Sequence, residues 1–278
     1  MNQAATTDNI VRIAVLGANG RMGQTLVRLI AEDDALHLIG AATEPGHATV
    51  GQDAGAIAGI EPLGVLLSSG PDEAIAEADV AIDFTLPAAA AGNIAACVAN
   101  DVELVMGTTG LSPQDHALLE NAGRDIAVVY GRNMSVGVNV ITELARMVGR
   151  ALGEDYDVEI TEAHHRHKVD APSGTALQLG EAVADGREVE FKDVAVLGRT
   201  EAAAARERGS IGFSSLRAGS IVGDHTVMFA SDEEIIELQH RALERSAFAR
   251  GALRAARWIV EQSNGVYSMV DVLGLRGR

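Results

Sequence analysis

Cysteine, lysine, aromatic residues and long apolar runs are all scarce in this 278-residue chain. Each scarcity removes a class of function. The single cysteine, Cys97, excludes an internal disulfide and a cysteine-based metal centre. It lies in the apolar run NIAACVA and reads as an inert core residue. Aromatic residues make up 3% of the chain while hydrophobic residues make up 47%, so Ala, Val, Leu, Ile and Gly must build the core. Such a composition suits parallel strands covered by helices better than an aromatic-rich sandwich. No apolar run approaches the roughly 20 residues of a membrane span, and no membrane partner is expected. The 22 basic residues are outnumbered by 39 acidic ones, for a formal net charge of −17. Nucleic acid is therefore not an expected partner, because phosphate recognition needs clustered Lys and Arg. The opening MNQAATTDN lacks the basic start and apolar stretch of a signal peptide and is expected to be a frayed tail. A cytoplasmic protein is the expectation.

Only two of the basic residues are lysines, Lys168 and Lys192. Lys168 sits in EAHHRHKVDAPSGTA (162–176), where His164, His165, Arg166, His167 and Lys168 are consecutive. Arginine stays protonated under ordinary conditions, whereas lysine can release its proton and histidine titrates near neutrality. The cluster reads as a place where protons move and an anion is held. Pro172-Ser173-Gly174-Thr175 follows and opens a predicted helix with Ser173 as N-cap. The Gly174 and Thr175 amides at the positive helix end, with nearby His and Lys, would seat a carboxylate. A solvated basic edge is the plainer alternative, and the capped helix counts against it. No HExxH or two-His-plus-acid spacing supports a metal, and none is expected. If the strand starting at Tyr156 continued unbroken, His164, Arg166 and Lys168 would share one face, with His165 and His167 on the other.

The first half alternates strands (10–17, 35–43, 79–85, 102–107 and 125–130) with helical spacing near 21–31, 87–99 and 112–122. Strands apolar on both faces, alternating with helices, predict an α/β fold with a doubly wound parallel sheet. The Gly- and Ala-rich stretch 46–62 reads as a long loop. Beyond residue 135 the pattern changes to a helix (138–151), a strand (156–165), a helix (173–185) and three β-rich runs (211–218, 220–230, 233–242). These runs, joined by short links, suggest a meander in a second, α+β domain. A last helix spans 246–262, and its spacing leaves open which domain it joins.

Gly17-Ala18-Asn19-Gly20-Arg21-Met22-Gly23 follows a predicted strand and opens a helix. Glycines there permit a tight turn and let backbone amides approach a pyrophosphate at the helix N-terminus. The GxxGxxG spacing is less specific than GxGxxG, but Glu44, 21 residues beyond Gly23, stands where an acidic side chain would bind ribose hydroxyls. Glu44 followed by Pro45 favours NADH; Arg21 in the glycine loop leaves NADPH accepted as well. Gly107-Thr108-Thr109-Gly110 and Gly131-Arg132-Asn133-Met134 fall at predicted strand ends, where such sheets bind ligands. They are expected to flank the nicotinamide, although ordinary turn chemistry would give the same pattern.

Together, GANGRMG (17–23), DFTLP (83–87), GTTG (107–110), NMSVGVN (133–139), the histidine-rich segment and RAGSIVGDHTV (217–227) resemble the dihydrodipicolinate (4-hydroxy-tetrahydrodipicolinate) reductases over nearly the full chain. The resemblance implies lysine and diaminopimelate biosynthesis and a Rossmann-type dinucleotide domain (1–135 with 245–278). It also implies a substrate-binding, homotetramer-forming domain (136–244) and a cyclic dicarboxylate substrate. It makes His164 the proton donor and acceptor and Lys168 a second proton donor. His165, Gly174 and Thr175, beside Ser173, match the substrate contacts. Gly17 to Met22, Glu44, Gly107 to Thr109 and Gly131 to Met134 match the dinucleotide contacts. Pro45 stands where some relatives carry a 2′-phosphate arginine. Arg132 occupies a loop position that is often small and neutral, and could touch cofactor or face solvent. Two alternatives stay open: another nicotinamide dehydrogenase acting on an amino acid or aldehyde, and a dinucleotide sensor without turnover.

Overall fold

A computed structural model describes residues 10–199 and 205–276, so the expected N-terminal tail at 1–9 lies outside the described residues. The chain divides into two compact units, Met1–Ser135 with Ser246–Arg278, and Val136–Arg245.

The first unit runs β1 (Val11–Leu16), α1 (Arg21–Ala31), β2 (Leu36–Thr43), α2 (Ala54–Ala58), β3 (Leu67–Ser69), α3 (Pro71–Ile75), β4 (Val80–Asp83), α4 (Pro87–Asn100), β5 (Glu103–Met106), α5 (Pro113–Ala122) and β6 (Ala127–Tyr130). The second unit runs α6 (Val136–Leu152), β7 (Asp157–His164), α7 (Gly174–Gly186), α8 (Phe191–Val194), β8 (Ala195–Val196), β9 (Ile211–Arg217), β10 (Gly223–Ala230) and β11 (Ile235–Ala242). The chain then rejoins the first unit with α9 (Ser246–Ile259), β12 (Gly265–Tyr267) and α10 (Met269–Val272).

In the first unit seven parallel strands lie in the order β12-β6-β5-β4-β1-β2-β3. Period two in β1 explains why its apolar run needs cover on both sides. Ile13 and Val15 pack with Leu26 of α1 and Ile259 of α9, while Ala14 and Leu16 pack with Ile75 of α3, Ile94 of α4 and Leu119 of α5. This is a Rossmann-like doubly wound sheet. Cys97 belongs to the second of these cores, where burial, with the nearby Asp83, pushes its thiol up to about 12. Among the described residues, no helix is long and apolar enough to cross a membrane.

Stretch 46–62 is not simply a loop, because α2 lies within it. The cause is Asp53, whose carboxylate accepts the amides of Gly55 (2.8 Å), Ala56 (3.1 Å), Leu63 (3.0 Å) and Gly64 (2.7 Å). That one side chain caps the helix and pins the returning chain.

The second unit has a five-stranded mixed sheet, β11-β10-β7-β9-β8, backed by α6 and α7. The expected meander is corrected here. β9 and β10 are not neighbours: β7 lies between them, parallel to β9 and antiparallel to β10. Residues 218–222 do not turn tightly; they cross the end of β7, with Ala218 N–H donating to His164 O (2.9 Å) and Arg166 N–H to Gly219 O (3.2 Å). The same crossing ends β7 at His164, so the strand does not continue through Lys168. The chain turns instead, closed by Lys168 N–H to His165 O (3.1 Å). Phe229 is fully buried on the covered face of this sheet. Phe229→Ala should lower the unfolding free energy by about 3–5 kcal/mol, read by urea denaturation, because it removes a large side chain from a packed core.

Candidate active site

In the first unit the glycine loop joins β1 to α1. Gly17 has φ +76°, in the left-handed region that a Cβ disfavours. Its amide and that of Ala18 both donate to Ala42 O (2.9 Å each), which anchors the loop to β2. Gly23 is held to glycine for another reason: a Cβ there would lie 2.2 Å from Gly17 O, so only glycine lets α1 seat against the loop. Gly20 caps α1 with no side-chain hydrogen bond, leaving the cap to backbone groups. Beside this loop lies a cleft of about 710 Å³ at the carboxyl ends of β1, β2 and β4. Gly17, Asn19, Gly20 and Glu44 line it, as do Phe84 and Thr85. The volume, the helix start without a side-chain cap and the glycine backbone fit a dinucleotide.

The other expected dinucleotide residues are placed differently. Ala18 is buried, Arg21 is exposed in the first turn of α1, and Met22 packs against the core beneath. Gly107, Thr108 and Thr109 follow β5, and Gly131 to Met134 follow β6; none of them is in the wall of the cleft. The Met134 side chain is buried in the core, so contacts from that position are left to its backbone. Asp83 ties these loops together. Its buried carboxylate accepts Thr85 N–H (2.7 Å), Thr108 Oγ–H (3.0 Å) and Asn93 Nδ2–H (2.9 Å).

In the second unit the histidine-rich segment forms a cluster of buried polar groups. β7 buries Glu162 and His164 on the same face, as period two requires. His164 Nδ1 lies 2.6 Å from Glu162 Oε2. Arg217, paired with His164 across β7 and β9, donates to both Glu162 oxygens (2.8 and 2.7 Å). Ser173 N–H adds a third donor at 3.2 Å. Burial pushes the Glu162 carboxyl up, but hydrogen bonds from Arg217, Ser215 and His164 outweigh it and hold the group at about 2. Burial also lowers His164, with Glu162 opposing that fall.

Ser173 does cap α7, accepting Ala176 N–H at 3.1 Å, and its hydroxyl shares a 3.0 Å hydrogen bond with His225 Nε2. Gly174 and Thr175 form the first turn of that helix, with Gly174 exposed. His225 stacks edge-on to His164, ring centroids 5.1 Å apart, and burial pulls it down to about 3. An uncharged ring therefore lies against His164. Lys168 Nζ bonds Asp170 Oδ1 at 2.8 Å, and Arg217 also donates to Asp170 O at 2.6 Å. His165 is half-buried and faces the ring of His167, centroids 6.3 Å apart. One unit thus assembles proton-active side chains beside a capped helix start.

Family models add to this geometry. Residues 11–134 match the dihydrodipicolinate reductase N-terminus and residues 137–273 its C-terminus. The chain belongs to the dihydrodipicolinate reductase family. It is 49% identical over 267 residues to the 4-hydroxy-tetrahydrodipicolinate reductase of Ruegeria pomeroyi, covering 96% of this chain and 99% of that one. It is 47% identical over 266 residues to the reductase of Nitrosomonas europaea, at 96% and 99% coverage. The fold is also that of a dipicolinate-bound dihydrodipicolinate reductase from Paenisporosarcina sp. TG-14, with TM-score 0.74 at 21% identity over 94% of this chain and 98% of that one. As a family member the chain is an NAD(P)H-dependent oxidoreductase of amino-acid biosynthesis.

The sequence reading missed Glu162, Asp170, Arg217 and His225 around His164, and Asp83 to Thr85 beside the glycine loop. The signals were present in part: Glu162 is two residues from His164 on a predicted strand, and Phe84 and Thr85 follow β4 at the ligand-binding edge. Buried neutral histidines also make stability pH-dependent. Below about 6.5 the unfolded chain takes up a proton that folded His225 accepts only near 3. Unfolding free energy should therefore fall as pH drops through that window. His225→Gln should flatten the slope, measured by urea unfolding across a pH series.

Proposed function

We propose that the chain reduces 4-hydroxy-tetrahydrodipicolinate to tetrahydrodipicolinate with loss of water, acting in the cytoplasm as a homotetramer. The observation that carries this reading is the Glu162 carboxylate, which meets both His164 Nδ1 and Ser173 N–H and so ties His164 to the capped start of α7. The dipicolinate bound to the Paenisporosarcina relative supports a cyclic dicarboxylate as the ligand class. In this reading the first unit binds the dinucleotide and the second binds substrate and mediates assembly.

Bound NAD(P)H supplies the hydride. The Gly17 to Met22 loop receives the pyrophosphate at the start of α1, and Glu44 binds the ribose hydroxyls. Gly107 to Thr109 and Gly131 to Met134 contribute the remaining contacts. His165 and the amides of Gly174 and Thr175 hold a substrate carboxylate at the positive end of α7, beside Ser173. His164, in its imidazolium form, delivers a proton to the reduced conjugate and is left as the neutral ring. Lys168 stabilises the negative charge that develops and assists departure of the hydroxyl as water.

Positioned acid–base groups of this kind contribute about 10²–10⁴ in rate. His164→Ala and Lys168→Ala should each cut kcat by about 10² or more while NADH binding survives, measured by steady-state kinetics and fluorescence titration. Near-normal turnover in either variant would remove that residue from the mechanism. NADH is the preferred cofactor, because Glu44 would meet a 2′-phosphate with like charge and Pro45 offers no cation; NADPH is accepted through Arg21. Glu44→Ala should raise KM for NADH more than KM for NADPH. An equal change in both would contradict the assignment.

A further inference from the structure

Glu162 is 2% exposed, although it is a carboxylate. Its oxygens are fully engaged. Oε2 faces His164 Nδ1 (2.6 Å) and Arg217 Nη1 (2.8 Å); Oε1 receives Arg217 Nη2 (2.7 Å) and Ser173 N–H (3.2 Å). An ionised carboxylate only accepts hydrogen bonds, so His164 must present Nδ1–H to it. The second ring nitrogen, Nε2, is then the one left for chemistry. A Cβ at Gly223 would lie 3.1 Å from Nε2, so glycine keeps that side of the ring clear. The same carboxylate grips Ser173, the residue that caps the substrate-binding helix.

We infer that Glu162, clamped by Arg217, is a positioning residue that fixes the His164 tautomer with Nε2 as the proton-handling nitrogen and registers that ring against the α7 N-terminus. The inference rests on His164 being the proton donor. Charged and titratable groups surround His164: Glu162 on its own strand, Arg217 on β9, His225 on β10, and Lys168, itself paired with Asp170, in the following loop. Among them only Glu162 receives a hydrogen bond from Nδ1 in the described structure.

Glu162→Gln separates charge from shape. Arg217 needs an oxygen acceptor, so the glutamine carbonyl turns toward Arg217 and Ser173 while its NH₂ meets His164 Nδ1. A donor there forces the ring into the Nε2–H tautomer, which cannot act as acid at that nitrogen without becoming an anion. Losing the wrong-tautomer restraint in an orienting carboxylate–histidine pair costs up to about 10⁴ in kcat. The expected result is a fall in kcat of about 10² or more, with KM changed by less than about threefold. The alkaline limb of the pH–rate profile should move to lower pH, because the charge that favours His164 protonation is gone while Arg217 remains. Two-bond ¹H–¹⁵N correlation spectra should show the Nδ1–H tautomer in the wild-type chain and Nε2–H in Glu162→Gln, with NADH binding unchanged.

A Glu162→Gln enzyme that keeps wild-type kcat, pH limb and Nδ1–H tautomer overturns the inference. If that variant fails to fold, Arg217→Lys replaces it, since lysine keeps the charge but loses the two-pronged grip. Lowered kcat with mixed tautomers then supports the inference, and unchanged kcat and tautomer overturn it. His164→Ala separates the two levels. Should it be inactive while Glu162→Gln is active, only the positioning role fails. Should it be active, the proton-donor reading fails first.

Discussion

Taking a carboxylate out of water is costly unless its lone pairs are filled and its charge is balanced, and the site of the second unit is organised around meeting that requirement at Glu162. Arg217 arrives from β9 in a bidentate geometry, the strongest arrangement available to a guanidinium and a carboxylate. Ser173 N–H, His164 Nδ1 and the Ser215 side chain complete the shell. Removing any one donor would leave a buried charge undercompensated, so strands β7 and β9 and the start of α7 are held to one arrangement. The positions of His164 and of the Gly174–Thr175 turn follow from it. The neutral His225 ring fits the same logic, since a second buried cation against His164 would add repulsion without a partner.

The candidate dinucleotide cleft of the first unit is built by other means. What borders it is mostly backbone: a left-handed Gly17, the close seat of Gly23 and an α1 start capped without a side chain. Amides suit a pyrophosphate because they offer donors without the desolvation cost of a buried cation. A buried carboxylate appears here too. Asp83 joins the end of β4 to Thr85, to Thr108 after β5 and to Asn93 in α4. In both units, then, an acidic side chain at the carboxyl end of a central strand organises loops or helices that come from distant parts of the sequence.

Much of the architecture could be read from the chain because long periodic segments report burial directly. The strands β1, β2, β4, β5 and β6 and the helices α1, α4, α5, α6, α7 and α9 were all expected. Short elements were not: β3, β8 and β12 have two or three residues each, too few to show a period. Helix α2 was hidden because its cap, Asp53, closes a loop through amides ten and eleven residues away. The order of β7, β9 and β10 could not be read, since a five-residue link can turn back or cross over with equal ease. His164 and Lys168 stood out by residue type. Arg217 did not, because its value lies in an ion pair made across 55 residues, and one arginine among twenty carries no mark of its partner.

The most direct measurement of the central claim is NADH absorbance when the purified chain meets 4-hydroxy-tetrahydrodipicolinate freshly generated by the preceding synthase. The account predicts that NADH is oxidised one-for-one with substrate. A chain that binds NADH, meets that substrate and consumes no NADH would contradict it.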